Sequence, residues 1–464
     1  MHLPLLSTPS PVRAWRAGLP LCLFTALLMA WAWHLKDPRL LMLRDVEWPL
    51  LLALSAAGGL GAWALRPSPW RWLAVWGVSV TVALTAVGQL HHHHRQQWVL
   101  SQPPEVLALA PHFIVGYTDP AVIREWVAKG LIGGVFITAR NVQGRSAEVL
   151  QAEIAELQTL NREAGRPPLI VSTDQEGGAV SRLSPPLPRQ DTLASLARRA
   201  ADDQALAAMA YEHGHQQGTA LAALGVNVNF SPVVDLKVER GRHLLDFHTL
   251  ISTRAISADP MQTALTARAY SLGLQQHGVL PTLKHFPGLG DVVDDTHYFS
   301  AQLLTDPQTL RERDWRPFRD VAASTQALIM LGHVVVPQID AKAPASLSRA
   351  LIQTVIRGEW QHEGALVTDD MTMGAVYNRG FCQAVPQALN AGVDLLLIAY
   401  DEDKFFDAMY CAARAARERQ LDSGLLAQSR QRLKALRAHW PPPAKAPGAD
   451  GRVANSAVSA SSLR

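Results

Sequence analysis

Four segments of this chain end in a high density of charged side chains: Ser-Thr-Asp-Gln-Glu-Gly-Gly from 172, Ser-Pro-Val-Val-Asp from 231, Leu-Lys-His-Phe-Pro-Gly from 283 and Val-Thr-Asp-Asp from 367. A single Asp in such a place is ordinarily a helix cap or a turn former. Four ends rich in Asp, His, Lys or Arg point to a shared pocket. An Asp beside a cation stays ionised, and an imidazole with a pKa near about 6.5 donates and recaptures a proton near neutral pH. Nucleophilic attack and proton transfer are the chemistry these groups offer together.

Such a pocket needs strands that deliver their C-terminal ends to one place. Short apolar runs at 112–117, 132–138, 168–173, 227–235, 279–285, 327–333, 365–369 and 394–400 read as strands. Stretches at 146–163, 200–223, 260–276 and 307–323 read as helices, the last two opening near Asp259-Pro260 and Asp306-Pro307. Eight alternating units predict an α/β chain, a (β/α)8 TIM-type barrel over 104–440, with its site on the C-terminal rim of the strands. A doubly wound open sheet is the alternative, but no G-x-G-x-x-G follows the first strand.

Ahead of the barrel lies a module of residues 1–95 with three uncharged stretches, about 17–35, 48–65 and 72–90. Each is about long enough to cross ~30 Å of hydrocarbon, and none shows a polar face. Trp15, Trp31, Trp33, Trp48, Trp70 and Trp72 cluster near their ends, where an interfacial ring belongs. Three transmembrane helices are therefore expected. Ala30-Trp31-Ala32 would fit a signal-peptide cleavage site as the alternative for the first. Flanking cations tie, with Arg13, Arg16, Arg66 and Arg71 on one side and Lys36, Arg39, Arg44 and Arg95 on the other. With a cytoplasmic N-tail, either reading places the barrel outside the cytoplasm, held at the inner membrane. His91 to His94 read as a solvated patch rather than a metal site, and 441–464 as a disordered tail.

Composition narrows the classes further. The chain has 464 residues, 48% hydrophobic and 18% charged, which is ample apolar material for a large core. A net charge of +3 argues against a nucleic-acid binder working through a basic face. Cys22, Cys382 and Cys411 make neither a disulfide framework nor a zinc site, and a single Cys382–Cys411 bridge is the less favoured state.

The stretches IGGVFITARN (132–141), STDQEGGAVSRL (172–183), NVNFSPVVDL (227–236), LKHFPGLGDVVDDTH (283–297) and ALVTDDMTMGA (365–375) resemble, in order, the glycoside hydrolase family 3 β-N-acetylhexosaminidases. The resemblance spans 105–440 and leaves out the membrane module and the tail. It implies retaining exo-hydrolysis of terminal β-linked N-acetylglucosamine from cell-wall glycans. Asp369 would be the nucleophile, and Asp295 and His297 the acid/base dyad. Asp174, Arg182, Lys284, His285 and Arg254 would hold sugar hydroxyls. No metal or organic cofactor is implied, because side chains supply both the nucleophile and the proton donor. Asp295 would orient the imidazole as the Asp does in a Ser-His-Asp triad. The Gly- and Asp-rich stretch from Gly288 to His297 is expected to close over the sugar.

Blander readings stand beside these. Asp291, Asp294 and Asp370 read as solvated loop acids, Glu176 as a residue holding a tight turn, and Met371 and Met373 as packing groups. Leu289 replaces the family's second histidine after Lys-His-Phe-Pro-Gly. Arg254 heads Arg-Ala-Ile where the family has an Arg-Ser-Phe-like element. A phosphorylase, another β-glycosidase of the family, or an inactive glycan-binding protein are the rival functions.

Overall fold

The computed structural model describes residues 11–65, 68–237, 250–292 and 301–440, with side chains from Gly18 onward. Each of the eight expected apolar runs overlaps a strand: β1 (Phe113–Gly116), β2 (Gly134–Ile137), β3 (Ile170–Thr173), β4 (Val228–Asn229), β5 (Leu280–Phe286), β6 (Leu328–Leu331), β7 (Leu366–Asp370) and β8 (Leu395–Ile398), of which β5 and β7 extend one residue past the expected end. They pair in parallel in sequence order, and β1 also pairs with β8, so the sheet closes into a barrel. An open doubly wound sheet is thereby excluded.

Alternation along each strand divides the core in two. Ile114, Phe136, Ile170, Val228, Leu280, Leu328, Val367 and Leu395 fill the interior. Phe113, Val115, Val135, Ile137 and Val171 face the surrounding helices. Leu433 and Leu436 of the last helix, with Trp440 after it, pack against the interior cluster. The barrel is therefore plugged with apolar groups at the end where its strands begin. Polar side chains collect at the other end.

The helices run α1 (Pro11–Trp33), α2 (Glu47–Ala64), α3 (Pro69–Leu100), α4 (Pro120–Lys129), α5 (Ala147–Glu163), α6 (Asp203–Leu224), α7 (Pro260–Gln275), α8 (Arg316–Ala322), α9 (Phe381–Ala391), α10 (Asp403–Arg417) and α11 (Ser423–Arg437), with further helical segments between them, among them the wide-turned Ala350–Glu359. Asp119, Asp202 and Asp259 cap α4, α6 and α7 by accepting from Ala121, Ala205 and Met261 backbone N–H groups, each at 2.8 Å. The expected continuous helix over 307–323 is broken. Trp315 N–H donates to Leu310 C=O at 2.8 Å in a wide turn. Pro317 then has no N–H to continue the ladder, and α8 starts afresh.

α1, α2 and α3 form an up-down-up bundle at the three expected positions, with α1 and α3 parallel and α2 antiparallel to α1. Among the described residues, α3 is the one helix long and apolar enough to cross a membrane; the apolar part of α1, Gly18–Trp33, is shorter. Small residues bring the helices close. A Cβ at Gly77 would meet Thr25 Oγ1 at 2.7 Å, and one at Gly88 would meet Leu35 Cδ2 at 2.8 Å.

Two expectations need correcting. Cys382 and Cys411 are joined in a disulfide between α9 and α10, with Cα atoms 4.7 Å apart. The two helices pack side by side in the ring, a proximity that a separation of 29 residues does not reveal. His92 is not part of a solvated patch: its side chain is largely covered, 4.0 Å from Asp403, and its ring lies edge-on to Phe406. The tail at 441–464 lies outside the described residues.

Candidate active site

The rim at the C-terminal ends of the strands carries Asp174 after β3, Lys284 and His285 on β5, Asp369 on β7 and Tyr400 after β8. Lys284 is 2% exposed, and its Nζ donates to Asp174 Oδ1 at 2.7 Å and lies 2.6 Å from Glu176 Oε1. Arg254 closes the cluster with two bonds to Glu176, at 2.9 and 2.6 Å. The fork geometry orients both partners as well as attracting them.

Burial alone would raise the Glu176 carboxyl, but the Arg254 and Lys284 charges outweigh it and hold that carboxyl well below the usual carboxylate range. Burial likewise opposes the Arg254 charge, and Glu176 more than restores it. Glu176 thus does more than support a turn. Its backbone does sit in a small hairpin, with Gln175–Gly177 paired to Val180–Ser181. Its side chain is the counter-ion that fixes Lys284 and Arg254.

Asp235, which closes the charged end of the fourth run but was given no role of its own from sequence, is fully buried. Its carboxylate accepts from His285 Nδ1 at 2.7 Å, from His285 N–H at 3.1 Å and from Leu289 N–H at 2.8 Å. His285 Nε2 lies 3.4 Å from Arg254 Nη2. The Lys-His pair is therefore locked from both sides. Leu289, which departs from the family pattern, contributes its backbone N–H here.

Asp369 is half-buried at the end of β7, and its Oδ1 accepts from Asp370 N–H at 2.8 Å. Asp370 turns the other way and is not a solvated acid. It is buried, accepts from Thr372 Oγ1 at 2.7 Å and Ala399 N–H at 3.1 Å, and burial pushes its carboxyl up to about 6. Its backbone C=O lies 2.9 Å from His333 Nε2. Asp370 therefore ties β6, β7 and β8 together and holds Asp369 at the rim. Met371 is fully buried and Met373 nearly so, as packing groups should be.

Tyr400 was also missed from sequence. Burial raises its phenol, and the charges of Asp174, Asp370 and Asp369 reinforce that shift against Arg182. The Arg182 guanidinium stands 6.0 Å from the Tyr400 ring centroid. Arg182 Nε is buried without a hydrogen-bond partner among the described residues. Carboxylates that accept and Lys or Arg groups that donate are what a polyhydroxylated ligand needs.

Asp295, His297 and Asp294 lie in 293–300, outside the described residues. The stretch before them is held: Asp291 accepts from Thr305 Oγ1 at 3.1 Å and pairs with Arg313, so it too is not a free loop acid. Among the described residues there is no group of His, Cys, Asp and Glu placed to hold a metal ion.

Comparison with known proteins places this architecture. Residues 96–436 match the model for the glycosyl hydrolase family 3 N terminal domain. A β-hexosaminidase of Xylella fastidiosa (strain 9a5c) is 36% identical over 296 residues, covering 62% of this chain and 82% of that protein. The structure of a family 3 β-N-acetylglucosaminidase from Paenibacillus sp. str. FPU-7 superposes with a TM-score of 0.65 at 28% identity, over 74% of this chain and 65% of that one. A family 3 glycosyl hydrolase from Mycobacterium smegmatis str. MC2 155 superposes with a TM-score of 0.63 at 32% identity, over 73% of this chain and 98% of its own. A closed barrel with this charged rim, matched to the family model over most of its length, makes the chain a glycoside hydrolase that belongs to glycosyl hydrolase family 3.

Proposed function

We propose that this chain is a membrane-tethered, retaining exo-β-N-acetylhexosaminidase that removes terminal β-linked N-acetylglucosamine from cell-wall glycans. The observation that carries the reading is the placement of Asp369. Its half-buried carboxylate ends β7 on the same rim as the Lys284–Asp174–Glu176 cluster at the ends of β3 and β5. In this mechanism an Asp369 oxygen attacks the anomeric carbon as the glycosidic C–O bond breaks. His297 gives the departing oxygen its proton, and Asp295 stabilises the imidazolium-capable ring. Water then attacks the glycosyl–Asp369 ester and returns its proton to His297. Asp174, Arg182, Arg254, Lys284 and His285 hold the sugar hydroxyls.

Several features support the membrane reading. The N-terminal helices expose Leu23, Leu27, Leu60, Trp63, Trp72, Trp76 and Leu90, while Thr25, Ser55, Thr81 and Thr85 are buried between them. An apolar outside around a small, polar inside is the pattern for helices whose solvent is lipid. The Cys382–Cys411 bridge supports an extracytoplasmic barrel, because disulfides persist in oxidising compartments. The test is hydrolysis of an aryl β-N-acetylglucosaminide by the full chain in detergent. Activity is expected, and Asp369→Ala is expected to reduce it by about 10^4-fold or more. Equal activity in that variant would end the assignment.

A further inference from the structure

The way the barrel joins its N-terminal helices determines which end of it faces the apolar bundle. α3 is one continuous helix, apolar over 72–90 and polar from His91. Past Leu90 it runs alongside α10 in the same direction. His92 lies 4.0 Å from Asp403, Arg95 donates to Asp407 at 2.8 Å, and Trp98 meets the Tyr410 ring edge-on at 5.3 Å. Arg417 then stacks over Trp98 at 5.6 Å. Since α10 follows β8, its first turn lies at the catalytic rim and its last turn at the plugged end. Moving up α3 from Leu100 towards Pro69 therefore leads from the plugged end to the rim, and then beyond the rim into the apolar bundle.

A second attachment fixes the same orientation. In the connection between α1 and α2, Lys36 Nζ lies 2.5 Å from Asp403 and Arg44 pairs with Asp401. Asp401 directly follows Tyr400, so one short loop carries both an active-site ring and an anchor to the helical bundle. Ion pairs of this kind contribute more to a defined geometry than to net stability. A cavity of about 610 Å³ separates this connection and α3 from Tyr377 and Phe381, which follow Asp369 around the rim. Leu90 to His92 is two residues, about 3 Å along the helix. With Leu90 at the edge of the hydrocarbon, as the membrane reading above has it, the catalytic mouth would open at the depth of the lipid headgroups.

In an exo-acting site the non-reducing sugar fills the closed end of the pocket, and the rest of the substrate leaves through the mouth. We infer that the substrate is a terminal β-N-acetylhexosaminide whose aglycone is anchored in the bilayer, because the rim carrying Asp174, Lys284 and Asp369 faces the membrane-side end of α3. The inference rests on the function proposed above and specifies its substrate class as a lipid-linked glycan.

Two measurements on the full chain in phospholipid vesicles test it. Fluorophores are attached at Thr118→Cys, on the rim beside Glu402, or at Glu163→Cys, at the end of α5 nearer the plugged face, each in a Cys22→Ser background. Headgroup-borne quenchers are expected to quench the rim label strongly and the other weakly; equal or reversed quenching overturns the orientation. For kinetics, one sugar is offered on a soluble aryl aglycone or on a diacyl-lipid aglycone in the same vesicles, at equal bulk concentration. Confinement to the bilayer surface should make the lipid-borne substrate react at least about tenfold faster. Equal rates overturn this inference and leave the proposed hydrolase standing. Hydrolysis of neither substrate overturns both.

Discussion

Asp235 grips His285 at two points: its carboxylate takes the ring Nδ1–H at 2.7 Å and the backbone N–H at 3.1 Å. One buried acid thereby sets both the tautomer of the imidazole and the path of the chain that carries Lys284. The two residues are fifty apart in sequence, and the link between them exists only once the fourth and fifth strands lie side by side.

Replacing Asp235 with Ala should therefore weaken both the site and the fold. It leaves the buried His285 and Leu289 N–H groups unpaired, at about 1–3 kcal/mol each. The expected outcome is a lower unfolding temperature together with a loss of about 10- to 100-fold in kcat/KM. Asp235→Asn keeps an acceptor for one N–H and should fall between. Unchanged kinetics in a destabilised Asp235→Ala protein would make its role purely structural.

Glu176→Gln removes the counter-ion of two buried cations while keeping the side-chain shape. Breaking a buried ion pair from one side costs about 3–5 kcal/mol. Thermal unfolding of the solubilised chain should show a clear drop, and substrate KM should rise because Lys284 and Arg254 lose their fixed positions. A Glu176→Gln protein as stable as the parent would contradict the ion-pair account.

Asp370 predicts a pH dependence with a definite sign. Burial raises its carboxyl to about 6, above its value in the unfolded chain. Between about pH 4 and pH 6 the folded state keeps a proton that the unfolded state has lost, so this group's contribution falls as pH rises through that window. Above about pH 6 both states are ionised and the loss is complete. Unfolding of the wild type compared with Asp370→Asn from pH 4 to 7 should show the difference moving in favour of the variant as pH rises. A difference that is flat, or of opposite slope, would reject the buried-acid account.

The Cys382–Cys411 bridge closes a loop across a separation of 29 residues, worth about 3–4 kcal/mol in the chain-entropy account. Cys382→Ala should lower the unfolding temperature while leaving aryl-glycoside hydrolysis nearly unchanged, since the bridge lies between α9 and α10. Labelling of the unreduced, denatured protein with a thiol reagent should modify Cys22 alone. Labelling of all three cysteines would show that the bridge does not form.

The barrel was legible because each strand is a short apolar run bounded by turn residues, and eight such runs in βα alternation leave few architectures. The fourth run shows the limit: 227–235 reads as one long strand, but its regular ladder covers Val228–Asn229, and beyond that a single bridge joins Val233 to Lys284. The chain then turns at Pro232 to present Asp235, and apolar patterning does not record that bend. Asp174, Lys284 and Asp369 were legible as charges at strand ends. The grip of Asp235 on His285, the place of Tyr400 and the ion-pairing of Glu176 were not, because each acts through a partner more than forty residues away. Charge at the end of the fourth run was the available signal for Asp235, and an aromatic ending the eighth run was the signal for Tyr400.

The most direct test of the account is to trap the reaction halfway. A fluorinated N-acetylglucosamine analogue with a good leaving group, incubated with the full chain, should form a stable glycosyl-enzyme. Peptide mapping by mass spectrometry should then place the added sugar on Asp369. Turnover of the unfluorinated substrate with the label on any other residue would contradict it.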